Sequence, residues 1–251
     1  VLCQTCHRTS CEGHSGHILL PKAVLLVGHI KALVCALRCV CPTCCRPRFT
    51  FSSEEASKFP GLVNVSHAVN GLPEVGRERL KAISDAVRSK RTCPWTLATP
   101  DGRPACGAAV PAFSEVNKLF IERVYSEAQL SGMSTEERGM MEERAFCADD
   151  VHSILSNVSD DTLEEMGFQP AYSHPRDAAT RALVVLPPAQ RPTIRQSEGG
   201  KSRGEDDLTS LYQEVVRTKN DFVEACVEPE AIAAAFEAQH GHHPEAEGWW
   251  S

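Results

Sequence analysis

Apolar residues recur at helical spacing in three stretches of this 251-residue chain. Leu80, Ile83 and Val87 fall on one face and predict an amphipathic helix over 77–90. Val151, Ile154, Leu155 and Val158 do the same for a helix over 149–157. Ser159 then suits a helix N-cap, Asp160 and Asp161 suit the positive helix end, and Gly167 suits the closing cap. Leu208, Leu211, Val215 and Val216 predict a helix from about Leu208 to Lys219. Leu183–Leu186 is a short β-prone run stopped by Pro187 and Pro188. Residues 118–125 fit a strand or a helix, because their periodicity does not decide.

The apolar run over 18–37 raises the question of a membrane span. Pro21, Lys22, His29 and Lys31 interrupt it, and a Lys at a bilayer centre costs roughly 2.5–3.5 kcal/mol on insertion scales. The expectation is a buried helix and no membrane partner. Between these elements, residues 51–75 read as loop, 92–113 as turn-rich, and 195–205 as a polar, Gly-rich linker. No repeat of solenoid length is present.

A net charge of −7 excludes a uniformly basic nucleic-acid binder, but the charge is uneven. Residues 1–50 hold six Lys or Arg against the single acid Glu12, whereas acids dominate from residue 201 onward. Such a split suits a piece of a larger assembly, with a basic face for phosphates and an acidic one for partner subunits.

Twelve cysteines suggest disulfides or metal. No charged-then-apolar signal segment precedes them, and CxxC pairs beside histidines favour metal. Cys3-x-x-Cys6 and Cys11-x-x-His14 form two hooks that can wrap one tetrahedral zinc. Four protein ligands leave no open position, so the site is read as structural. His17 competes with His14, and His14 is favoured because its spacing mirrors the CxxC hook. Cys41-x-x-Cys44 is a third hook, whose partners are expected to be Cys93 and Cys106; Cys45 competes with Cys44. Cys35 and Cys39 lie on the apolar run and read as buried thiols. Cys147 and Cys226 are expected to be free.

These motifs carry a resemblance. Cys3-x-x-Cys6 followed by Cys11-Glu-Gly-His-Ser-Gly-His-Ile18 resembles the C-x-x-C…C-P-G-H-x-G-H-I signature of the largest subunit of multisubunit DNA-dependent RNA polymerases, with Glu12 in place of proline. Val24, Val27-Gly28 and Cys41-x-x-Cys44 fit the family's apolar helix and second cysteine hook. Cys106-Gly107 with Pro111 resembles C-G-x-x-Q-P, with Val110 for Gln. Many relatives have C-P-x-C where this chain has Cys93-Pro-Trp-Thr96, which makes Cys106 the choice for the fourth ligand. Val151-His-Ser-Ile-Leu155, Met166-Gly-Phe168 and Arg191-Pro192-Thr-Ile194 follow in family order. Arg203-Gly-Glu-Asp-Asp-Leu-Thr209, then Asn220, resembles the R-G-E-D-D-L-T…N segment of RNA polymerase II and its viral relatives.

The resemblance implies an α+β architecture, an irregular zinc-stapled clamp domain with helices and short strands. It implies a clamp domain over 1–195 and, over 196–251, the start of the following domain, approaching the lid. It implies two structural Zn2+ sites, one at Cys3, Cys6, Cys11 and His14 and one at Cys41, Cys44, Cys93 and Cys106. The family's catalytic Mg2+ motif, N-A-D-F-D-G-D, is not in this sequence. Mg2+ and nucleotide transfer are therefore expected only of the complete polymerase, with no catalytic residue in this chain. Asp206 and Asp207 read as the start of a helix instead. Implied partners are the other polymerase subunits, especially the second-largest, with the DNA template and the RNA–DNA hybrid. The implied location is the nucleus, or a viral factory or virion. Arg88, Lys90 and Arg91, beside Cys93, are the expected DNA-facing residues. The competing expectation is a free-standing zinc-binding module for nucleic acid or protein. A RING-like ligase is disfavoured, because its eight evenly interleaved ligands are absent.

Overall fold

Within residues 22–180 the helix and strand patterning resolves into short elements packed around one apolar helix. The computed structural model describes residues 3–99, 102–136, 138, 146–192, 194–195, 203–204 and 206–226, with backbone alone at 194–195, 203–204 and 225–226. Helices and two-stranded sheets alternate, an α+β arrangement. The chain divides into two compact units. One comprises Val1–Pro21 with Arg181–Ser251, and the other Lys22–Thr180.

The core of the second unit is built on helix α1 (Ile30–Cys39), where Ile30, Leu33, Val34, Ala36, Leu37 and Cys39 are all buried. A helix apolar nearly all round must be enclosed. It is covered by α3 (Arg77–Val87), by the antiparallel hairpin β4 (Ala112–Val116) and β5 (Phe120–Val124), and by α5 (Ala148–Ser156). Leu80, Ile83 and Val87 of α3 and Val151, Ile154 and Leu155 of α5 supply the facing side chains. Each fully buried side chain of this size contributes about 1.5–3 kcal/mol. Helix α2 (Ser53–Lys58) and the parallel pair β2 (Phe49–Thr50) and β3 (Val63–Asn64) lie beside this core. A short helix, α4 (Glu127–Ser131), follows the hairpin and begins with a capping box at Ser126 and Gln129. Helix α6 (Asp160–Glu165) ends at Gly167, whose φ of +94° and N–H to the Glu164 carbonyl complete the expected cap. Ser159 occupies its N-cap, but the hydroxyl pairs with Thr162 Oγ1 at 2.9 Å and not with a backbone N–H.

In the first unit, helix α7 (Asp207–Cys226) carries Tyr212, whose hydroxyl donates to the Val184 carbonyl at 3.2 Å. Asp206 Oδ2 accepts from the Leu208 N–H at 3.1 Å, so this carboxylate caps α7, as its place in the sequence suggested.

Several expectations are corrected. The buried helix expected over 18–37 begins only at Ile30. Residues Gly16–Leu25 form strand β1, mostly exposed and paired with β6 (Ala179–Val185). Apolar content alone cannot separate a strand from a helix, and β-branched and Pro residues at 18–27 disfavour the helix. The loop expected over 51–75 contains α2 and β3. Helix α3 stops at Val87, three residues early, and α7 runs seven residues past Lys219. The apolar positions that predicted α7 are largely open: Leu208, Leu211 and Val216 are exposed. Residues 118–125, compatible with either element, contain strand β5, and its partner β4 begins at the end of the sequence read as turn-rich. Across the 195–205 linker, Ile194–Arg195 (β7) pairs with Arg203–Gly204 (β8); the remainder of that linker, and Cys226, lie outside the described residues or side chains. Among the described residues no helix is long and apolar enough to cross a membrane.

Candidate metal centres

Both CxxC hooks fold the same way. Cys3 donates its N–H to the Arg8 carbonyl at 3.0 Å, and His7 donates to the Cys3 carbonyl at 2.8 Å. In the later hook, Cys41 donates to the Arg46 carbonyl at 2.9 Å, and Cys45 to the Cys41 carbonyl at 2.8 Å. The residue after the second cysteine takes left-handed backbone in each, with φ of 55° at His7 and 56° at Cys45. A non-glycine pays about 1–2 kcal/mol for that conformation. What results is a turn tight enough to aim both thiols of the hook at one point. Cys45 is thereby the pivot of its hook, and the question between Cys44 and Cys45 is decided by backbone: Cys44 joins the cluster.

The first cluster gathers Cys3, Cys6, Cys11 and His14, with all ligand atoms within 4.8 Å of one another. Cys11 Sγ lies 3.3 Å from His14 Nε2 and accepts the Gly13 N–H at 3.3 Å. Gly13 has φ of +98°, and a Cβ there would stand 2.9 Å from Pro187 Cβ. Only glycine serves that turn. His17 lies on β1, exposed and outside the cluster. The Cys3 thiol is held down at about 6, first by hydrogen bonds from the Cys6 and Thr5 backbone. The Gly13 N–H pulls Cys11 down, but the Cys6 thiol, desolvation and the charge of Cys3 leave it raised.

The second cluster brings Cys41, Cys44, Cys93 and Cys106 together, again within 4.8 Å. Cys93 and Cys106 are presented by two strands of loop, since Cys93 N–H donates to Ala108 O at 2.8 Å and Cys106 N–H to Trp95 O at 2.7 Å. Cys44 and Cys93 sulfurs are 3.7 Å apart and Cys41 and Cys106 sulfurs 3.9 Å. Tetrahedral zinc with Zn–S of about 2.3 Å requires roughly 3.8 Å between sulfurs, whereas a disulfide requires about 2.05 Å. Cys41 and Cys93 are buried, and Val110 packs beside them.

The thiols of Cys41, Cys44 and Cys93 perturb one another. The Cys41 and Cys93 thiols, with Arg46, donate to Cys44 and hold it well below the usual thiol range. In return Cys41 is pushed up to about 11 by its hydrogen bond to Cys44, and Cys93 is raised by Cys41 and Cys44. One thiolate is tolerated; four are not, unless a cation replaces the protons. Arg46, absent from the sequence reading, is buried against this site. It donates Nη2 to the Pro104 carbonyl at 2.7 Å and stacks over Trp95 at 5.1 Å. Trp95 in turn donates to the Pro47 carbonyl at 2.7 Å, which ties the 93–106 loop to the hook. Such outer partners fix ligand orientation.

The donor sets, three thiols with an imidazole and four thiols, suit a soft, tetrahedral, non-redox ion. Cys39 is fully buried with its thiol raised by burial, and Cys35 is half-buried beside the core; neither joins a cluster. Cys147 is exposed at the start of α5, 3.3 Å from Asp150 Oδ2. Arg88, Lys90 and Arg91 are exposed just after α3.

The family model described as RNA polymerase Rpb1, domain 1, matches residues 1–239. Among similar proteins are the DNA-directed RNA polymerase II subunits RPB1-A and RPB1-B of Trypanosoma brucei brucei. Each is 29% identical over 235 residues, covering 87% of this chain. The chain spans 12% of the length of those relatives. With a match that runs through both cysteine clusters and across nearly the whole sequence, the chain belongs to the RNA polymerase Rpb1 domain 1 family.

Proposed function

We infer that this chain serves as the clamp portion of the largest subunit of a DNA-directed RNA polymerase, helping to hold DNA and the RNA–DNA hybrid during transcription. The observation that carries this reading is the family match over residues 1–239. Both clusters bind Zn2+ as structural centres: Cys3, Cys6, Cys11 and His14 at one, Cys41, Cys44, Cys93 and Cys106 at the other. The ions supply rigidity where the chain is rich in loop and poor in core. Residues 1–195 act as the zinc-binding domain, and 196–251 begin the domain that follows.

The partners are the other polymerase subunits, the second-largest above all, with the DNA template and the hybrid. Nuclear residence follows from the RNA polymerase II relatives. The chain contributes positioning and no catalytic group; nucleotide transfer and its Mg2+ belong to the assembled enzyme. Arg88, Lys90 and Arg91 face nucleic-acid phosphates, an attraction independent of base sequence.

The test uses stalled complexes of the assembled polymerase. Replacing Arg88, Lys90 and Arg91 with Ala should speed dissociation from DNA and lower the salt slope by about 0.9 for each phosphate no longer engaged. Exposed charges contribute little to stability, so melting should be unchanged. Normal retention on DNA with early melting would make these residues structural and refute this placement of the DNA-facing surface.

A further inference from the structure

Two arginines of the Lys22–Thr180 unit are held by carbonyls where a carboxylate would be expected. Arg38, in the last turn of α1, donates Nε and Nη2 to the Phe113 carbonyl of β4 at 3.1 and 2.7 Å. Arg48, just before β2, is 2% exposed. Its Nη1 donates to the Arg38 carbonyl at 2.7 Å, and its Nη2 to the carbonyls of Val87 and Lys90. Arg48 Nε is buried and has no partner. Carbonyls satisfy N–H groups but carry no net negative charge, and a buried cation left unmatched is costly. Desolvation accordingly pulls Arg48 below its ordinary value. The thiols of Cys39, Cys41 and Cys93 offset part of that cost, but no carboxylate among the described residues pairs with the guanidinium.

These two side chains line a recess of about 110 Å3 that is completed by Arg88, Arg91 and the Pro111–Ser114 segment. One water needs about 10–15 Å3 of such space, so the recess has room for a group of several heavy atoms. Four arginines line it and, among the described residues, no acidic side chain does. Arg88 and Arg91 are exposed at its mouth, whereas Arg48 is fixed inside. Guanidinium forks match the paired oxygens of a phosphate. Lys90 is also exposed but does not line the recess. It offers a second cationic group next to the first, which suits a ligand with repeated phosphates over an isolated anion.

We propose that this recess receives one phosphate group of a nucleic-acid strand, with Arg38 and Arg48 as a fixed floor and Arg88 and Arg91 as arms that close on it. The proposal rests on the reading of Arg88, Lys90 and Arg91 as phosphate-facing, and adds the two buried arginines and a defined pocket to it.

The experiment follows the Arg48 Nε–H resonance of the zinc-loaded 251-residue chain. Inorganic phosphate and a short DNA duplex are each titrated, with chloride at equal ionic strength as control. Both phosphate sources should move the resonance saturably and chloride should not. Arg88→Gln with Arg91→Gln should weaken both ligands about tenfold or more, the loss of one or more charge-assisted hydrogen bonds, with the melting curve unchanged. Lys90→Gln should weaken the duplex and leave inorganic phosphate unaffected. An Arg48 resonance that ignores both ligands overturns the recess. If the salt slope for DNA still falls in the Arg88, Lys90 and Arg91 variants, the surface reading survives that failure. If phosphate binds but the double variant holds DNA normally, the pocket is a free-phosphate site and the assignment to a nucleic-acid strand is wrong. If neither ligand binds and no variant alters the salt slope, both readings fall together.

Discussion

Replacing Cys93 and Cys106 together with Ser would leave the Cys41–Cys44 hook with no distal ligand. Cys44 and Cys93 are 49 residues apart in sequence. In the chain-entropy treatment of a cross-link, closing a loop of that length is worth about 4 kcal/mol. Helices α2 and α3 lie inside this loop, so the clip acts on the elements that cover α1. For a unit of this size each kcal/mol moves the melting temperature by about 2–4 °C. The double variant should therefore melt roughly 8–16 °C lower than the parent and bind one zinc fewer. Cys39→Ala is the control, because Cys39 is as buried as Cys93 but outside the clusters. It should cost about 1–2 kcal/mol, as small core truncations do, and keep the full zinc content. Elemental analysis and calorimetry on the same samples read both quantities. A double variant that keeps its zinc, or melts with the parent, would refute the claim that the second cluster is a metal clip.

Other outcomes follow from single residues. Gly167→Ala forces a side chain into φ of +94°, with its Cβ 3.1 Å from both N and O of Gly76; urea unfolding should show a loss of about 1–3 kcal/mol, and a neutral result would contradict the close approach of those loops. His174 is lowered, first by desolvation and then by the Arg176 charge, so the fold favours its neutral form. That stability is present above the unfolded value of about 6.5 and is lost as pH falls through it toward the folded value. The parent should thus lose more stability than His174→Gln between about pH 7.5 and pH 5.5; equal losses would show that His174 plays no part.

How much of this was readable beforehand depended on whether the signal was local. Helix α3 was legible because Leu80, Ile83 and Val87 repeat on one face, and the first cluster because its ligands fall within residues 3–14. The second cluster was harder: its ligands span 41 to 106, and so long a gap weakens the spacing signal. Strand β1 was hidden because Ile18, Leu20 and Val24 are as apolar as the helix that follows, and half-exposed strands carry little compositional contrast. Strand β4 was hidden because its pairing with β5 is a property of the fold, with only short, mixed-polarity segments to announce it. The arginine recess could not be read at all. Arg38 and Arg48 sit far in sequence from Arg88 and Arg91, and only the packing of α1 against α3 and β4 gathers them. Arg46 and the Cys45 pivot escaped for a different reason: one supports the ligands from outside and the other shapes a backbone turn, and no ligand spacing encodes either.

The central claim, that two closed structural zinc centres organise this polymerase domain, is tested most directly by zinc X-ray absorption on the purified chain, alongside elemental analysis. Two zinc ions should share seven sulfurs and one imidazole nitrogen, with Zn–S near 2.3 Å and no bound water. A well-folded, metal-free chain, or zinc coordinated mainly by oxygen, would contradict it.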